Sequence, residues 1–238
     1  MARRLLLAVG ALFATLLIGG VGYTAYLGWF GGPVFRLLPA AAPPPPAERG
    51  MAAVFLSGDS GFNVGMGPRV AQAIAARGMP VLEVNSLTAF ARRRTPAEGR
   101  ALIVAATRRA LALPGTRRVV LIGQSFGADM LQYGAAGMPA ALRPRVARVI
   151  LAVPGDTLLF KATPGGFLDG APDRSALPSA RAIDWVPVTC IHGATEAHSL
   201  CPLLHAPNVR TVTLPGDHYL HHDARALADA IFAAMGPR

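Results

Sequence analysis

The sequence predicts an α/β fold whose mostly parallel sheet is covered by helices on both faces. Three observations carry this. From residue 51 onward, short aliphatic and β-branched runs alternate with amphipathic or Ala-rich stretches of helical length. The runs lack the in-out alternation of a half-exposed strand, so each reads as buried on both sides. Gly and Pro fall between them, at Gly78 and at Pro114-Gly115 for example, where they punctuate rather than interrupt.

The elements follow in order. Residues 5–30 carry no charge and follow Arg3 and Arg4, a pattern that fits a signal peptide or a single membrane anchor. The run exceeds a usual signal core, no Ala-x-Ala cleavage site follows it, and Tyr23, Tyr26 and Trp29 stand where an interfacial aromatic belt would lie. An uncleaved inner-membrane anchor with a periplasmic globular part is the expectation. Residues 31–50 hold Pro33, Pro39 and Pro43 through Pro46 and read as a stiff tether of polyproline character. The globular domain is expected over 51–238. Its strands are read at 51–56, 81–84, 117–123, 146–153, 186–191 and 209–214. Its helices are read at 68–77, 96–113, 128–133 and 223–235. Residues 154–184, rich in Pro and Gly, break the alternation and suit an insertion or lid.

Composition bounds the function. The 238 residues suffice for one sizeable core, and 52% hydrophobic against 15% charged excludes general disorder. The net charge is +10, from 23 Lys and Arg against 13 Asp and Glu, and Lys161 is the only lysine. Such a balance attracts anionic surfaces, phospholipid headgroups among them, although an arginine-favouring genome gives the same composition. No zinc-finger, RNP or helix-turn-helix pattern is present, so no nucleic-acid partner is expected.

The chemistry centres on residues 123–127, Gly-Gln-Ser-Phe-Gly. An aliphatic run enters this segment and an Ala-rich helix leaves it, the order of a nucleophile elbow with Ser125 at its apex. A serine needs a base, and the base an orienting acid. Among six histidines, His218 follows the last strand in Leu-Pro-Gly-Asp-His, the place for the base. Glu196 follows the preceding strand and is the first choice of acid; Asp156 is the alternative. Asp129, in the first turn after the elbow, suits the positive helix end or a supporting role. The Gly-rich turn after residue 56 places the N–H of Asp59 as one oxyanion donor, and the N–H of Phe126 supplies the other. Cys190 and Cys201, the only cysteines, bracket Glu196. In an oxidising compartment they form a disulfide worth about 3 kcal/mol in the chain-entropy account. Zinc is the rival use, but the spacing fits no familiar module, and no metal or cofactor is expected.

These residues support a resemblance. The segments 55–62, 123–129, 190–202 and 214–218 resemble the AcvB/VirJ family of bacterial virulence proteins, within the α/β-hydrolase superfamily. The cysteine-bracketed acid loop and the Ser-Phe-Gly-Ala-Asp segment are its most specific parts. The resemblance implies a periplasmic hydrolase of aminoacylated phosphatidylglycerol, notably its lysyl ester, with an anionic phospholipid as substrate and Ser125 and His218 as nucleophile and base. The family commonly has Tyr at Gln124, a carboxylate at His198 and a second His at Tyr219. Two rival readings share the scaffold: a non-catalytic binding or chaperone-like module, and a general lipase or thioesterase.

Overall fold

The computed structural model describes residues 2–236. Helix α1 (Ala2–Leu27) is followed by strand β1 (Phe35–Leu38), β2 (Met51–Leu56), α2 (Met66–Ala76), β3 (Val81–Val84), α3 (Ser86–Phe90) and α4 (Pro96–Leu111). Then come β4 (Arg118–Gln124), α5 (Phe126–Ala136), β5 (Val146–Ala152), a small hairpin β6 (Thr157–Leu158) and β7 (Arg174–Ser175), and α6 (Leu177–Arg181). The chain closes with β8 (Val188–Gly193), β9 (Val209–Leu214) and α7 (Ala224–Met235).

Among the described residues the main sheet has seven strands, in the order β1-β3-β2-β4-β5-β8-β9. All neighbours run parallel except β1, which pairs antiparallel with β3. Parallel strands require crossovers, and the intervening helices cover both faces as the sequence predicts. One face packs Val54, Leu121, Val149 and Leu151 against α4 and α5; the other packs Phe55, Val120 and Ile150 against α2 and α7.

Local chemistry sets the ends. Helix α2 begins two residues before the expected start, because Pro68 in its first turn gives up only an N–H that has no intrahelical partner. Helix α4 opens on a capping box, with the Thr95 hydroxyl accepting from the Glu98 N–H and the Glu98 carboxylate accepting from the Thr95 N–H. Strand β8 starts at Val188 rather than 186, since Pro187 has no N–H to give a ladder.

The reading of 31–50 as a stiff tether outside the domain is corrected. Phe35–Leu38 completes the sheet at its β3 edge, and the following chain returns along the domain to bury Glu48, which accepts from Arg77 Nε at 2.9 Å. The cause lies in side chains rather than in the prolines. Arg36 on β1 meets the buried Glu83 of β3 at 2.6 Å, and Arg36 also donates to the Phe62 carbonyl at 2.8 Å. The edge of β3 would otherwise expose its backbone groups.

Helix α1 is long and apolar enough to cross a membrane, and its side chains from Leu5 to Val21 are exposed. Its last turn is seated on the domain. Leu27 is buried in the core, and Trp29, read beforehand as part of an interfacial belt, packs against that core as well.

Candidate active site

The site forms at the carboxyl ends of the strands, where a parallel sheet gathers its loops. Strand β4 runs into Ser125, whose φ is +53°. A non-Gly residue in that region costs about 1–3 kcal/mol and persists only when its surroundings over-determine it. They do so here. The Ser125 N–H donates to the Ala152 carbonyl at 2.8 Å, and the Ser125 carbonyl accepts from Ala128 and Asp129 at 2.7 and 3.1 Å. Gly127 lies directly against the carbonyls of Leu56 and Ser57, where a Cβ would collide. Those contacts press α5 onto the end of β2 and present the serine side chain at the top of the turn.

Ser125 Oγ lies 2.8 Å from His218 Nε2, and His218 Nδ1 lies 2.6 Å from Glu196 Oε1. The hydrogen-bond logic fixes the tautomer: Nδ1–H donates to the carboxylate, which leaves Nε2 to accept the serine hydroxyl. Glu196 Oε2 accepts from the Gly193 N–H at 3.3 Å, so the carboxylate is held at both oxygens. Its side chain is 4% exposed, against 39% for His218. Cys190 and Cys201 are joined as a disulfide, with Cα atoms 5.4 Å apart, and the bridge closes the loop that carries Glu196.

Asp156, the alternative acid, is placed elsewhere. Its carboxylate faces His198 Nδ1 at 3.6 Å, and Glu196 is the carboxylate that meets His218. Asp129 accepts from the Gly155 N–H at 2.8 Å, tying the helix after the elbow to the loop after β5. Burial, before all else, pushes its carboxyl well above the usual carboxylate range; Glu196, Asp59 and Asp156 nearby push the same way. Phe126 opens α5, and its N–H lies beyond the reach of an intrahelical acceptor. Asp59 lines the cavity of about 220 Å³ that contains Ser125 and His218. Burial and the neighbouring Asp169 raise its carboxyl above the ordinary value, while His218 and its own N–H oppose this.

Some lining residues have no signal in the strand-helix alternation. Gly165 comes from the Pro- and Gly-rich insertion, which reaches the cavity through it. Tyr219 and His222 line it from the turn after His218, where Leu220, His221 and His222 all adopt positive φ. A run of three such non-Gly residues is sterically costly, and no composition rule anticipates it. Among the described residues, no group of three or more His, Cys, Asp or Glu is disposed to hold a metal.

The strand order, the strained serine after β4 and the acid and base loops after β8 and β9 define an α/β-hydrolase fold. The chain belongs to the bacterial virulence protein (VirJ) family, whose model matches residues 50–238. Among solved structures it is similar in fold to the protein Est1E from Butyrivibrio proteoclasticus, with a TM-score of 0.61 and 19% identity over 84% of this chain and 92% of that one. It is also similar to an alpha-beta serine hydrolase homologue from Coxiella burnetii, with a TM-score of 0.58 and 14% identity over 85% and 91%. The esterase domain of a Rhodothermus marinus protein gives 0.54 and 17% over 85% and 100%. A comparison with curated protein sequences finds no relative.

Proposed function

We propose that this chain is a serine esterase, anchored in the inner membrane by α1 and facing the periplasm, that hydrolyses the aminoacyl ester of phosphatidylglycerol. The observation that carries the reading is the continuous relay from Ser125 Oγ through His218 to Glu196, at 2.8 and 2.6 Å. Ser125 Oγ attacks the ester carbonyl carbon as His218 Nε2 takes its proton, and Glu196 supports the imidazolium that forms. The tetrahedral oxyanion accepts from the Phe126 and Asp59 N–H groups. Collapse of this intermediate breaks the bond to the glycerol oxygen, which takes the proton back from His218. Water then repeats the sequence on the acyl-enzyme and frees the amino acid.

The substrate assignment draws on three further features. Family membership suggests it. Asp59 and Asp169 set carboxyl groups beside the cavity, where an aminoacyl group carries its ammonium close to the reacting carbonyl. Helix α1 ends on the Asn63 loop adjoining the same cavity. Lipid extracts of cells with and without the gene test the reading: aminoacylated phosphatidylglycerol accumulates when the gene is lost. Unchanged lipid profiles in cells that make such lipids would count against this substrate.

A further inference from the structure

A second cavity, of about 630 Å³, shares no lining residue, among the described residues, with the one at Ser125. Trp29, Phe30 and Gly31 line it where the chain leaves α1, and Arg92, Arg93 and Arg94 line it from the loop that leads into α4. The acid on its lining, Glu98, is already committed to capping α4 at Thr95. Arg93 reaches Asp173, and Arg94 donates to the Ala89 carbonyl and lies over Phe90, while Arg92 is an exposed residue on the cavity lining. Three arginines therefore line the space, with Glu98 committed to the helix cap and Asp173 paired with one of them, Arg93, and phosphate oxygens are the ligand such an arginine cluster complements.

The cavity's level relative to α1 is fixed by hydrogen bonds. Asn63 Nδ2 donates to the Tyr26 carbonyl at 2.6 Å, Asn85 Nδ2 to Leu27 at 3.2 Å, and Thr88 Oγ1 to Gly28 at 2.9 Å. These side chains take up the orphan carbonyls of the last helical turn, so the helix leaves the domain at a set angle. At about 1.5 Å per residue, the 26 residues of α1 exceed a hydrocarbon core of about 30 Å. With Arg3 and Arg4 in one headgroup layer, Tyr26, Trp29 and Phe30 reach the other.

We propose that this cavity is a non-catalytic site for the phosphodiester headgroup of an anionic phospholipid, seating the domain on the bilayer. The site rests on the anchor reading above and is separate from the ester-cleaving cavity. Lipid held between the aromatic residues and the arginines keeps the helix and its docked domain from tilting together against the bilayer surface. The Asn63 loop, and with it the Ser125 mouth, then stays at headgroup level.

Native mass spectrometry of the full-length chain in non-denaturing detergent tests this, with equal phosphatidylglycerol and phosphatidylcholine of matched acyl chains. Each arginine near an anionic headgroup strengthens binding by about fivefold, so the wild type retains phosphatidylglycerol at least about tenfold over phosphatidylcholine. Arg92→Gln cuts that preference about fivefold, and Arg92→Gln with Arg93→Gln abolishes it. Because neither residue lines the Ser125 cavity, product bound there is unaffected by the substitutions. An intact wild-type chain without preference, or variants that keep it, overturns the headgroup site alone. Displacement by millimolar inorganic phosphate overturns the lipid assignment. A mature chain from cells whose mass lacks α1 overturns the anchor reading, and the site with it.

Discussion

Glu196 and His218 meet at 2.6 Å because their loops are stitched together by backbone. The Ala194 N–H donates to the Leu214 carbonyl at 2.8 Å and the Thr195 N–H to Gly216 at 3.0 Å, while Gly193 lies against the Asp217 carbonyl with no room for a Cβ. Glu196 and His218 are thus positioned by one shared turn rather than by two independent loops.

Gly193→Ala is expected to separate that turn. Overpacking of this kind costs about 1–3 kcal/mol of stability, and the larger effect falls on ester hydrolysis, because the His218 to Glu196 bond lengthens. Glu196→Gln keeps the shape but loses the charge that supports the imidazolium, and is expected to lower kcat by about three to four orders of magnitude. Steady-state kinetics on a soluble ester check both. A Glu196→Gln variant with wild-type kcat would remove the acid from the account.

Replacing Cys190 and Cys201 together by alanine is expected to destabilise the domain by about 3 kcal/mol. For a chain of this size that lowers Tm by roughly 6–12 °C. Both sulfurs are buried, so alanine also leaves a small void, and differential scanning calorimetry reads the sum. The same variant loses kcat well below its Tm as the Glu196 loop loosens. Equal melting temperatures would show that the bridge constrains nothing.

Arg36→Ala leaves Glu83, 0% exposed, without its cation. Burial already raises the Glu83 carboxyl, with Arg36 opposing it. A fully buried pair broken on one side costs about 3–5 kcal/mol, and the loss here is expected to fall below that because the Arg36 side chain is 36% exposed. Adding Glu83→Gln removes the stranded charge and recovers part of this loss. Chemical denaturation of the single and double variants measures the recovery, and a double variant no better than the single would contradict the assignment.

Asp129→Asn tests the buried carboxyl behind the elbow. Its folded value lies above the ordinary one, so the folded state binds the proton more tightly than the unfolded chain. That contribution is full below the ordinary carboxylate value and is lost as pH rises through the folded one. Asparagine still accepts from the Gly155 N–H and carries no charge to bury. The Tm of the wild type relative to Asp129→Asn is therefore expected to fall from pH 4 to pH 8. A relative rise would reverse the sign of the account.

The turn at Ser125 and its contacts with His218 and Glu196 were legible because each residue sits within a few residues of a strand end, where local sequence dictates local geometry. Gly127 and Gly193 are marked in the sequence by the absence of a side chain, and the structure uses that absence for backbone contact. Strand β1 was not legible. Pro33 and Pro39 flank it, and the charge that recruits it, Glu83, lies 47 residues from Arg36. The docking of α1 was hidden for the same reason: Asn63 and Asn85 are ordinary loop residues until the fold brings them under Tyr26 and Leu27. Gly165 reaches the site from a segment without periodicity, where pattern carries no information about position.

The most direct test of the central claim is amino-acid release from lysyl-phosphatidylglycerol in proteoliposomes containing the full-length chain. The wild type is expected to release lysine and leave phosphatidylglycerol, and Ser125→Ala to lose at least about four orders of magnitude in rate. Equal release by the Ser125→Ala variant, or none by a wild type that a fluorophosphonate labels at Ser125, would contradict the account, the first in its nucleophile and the second in its substrate.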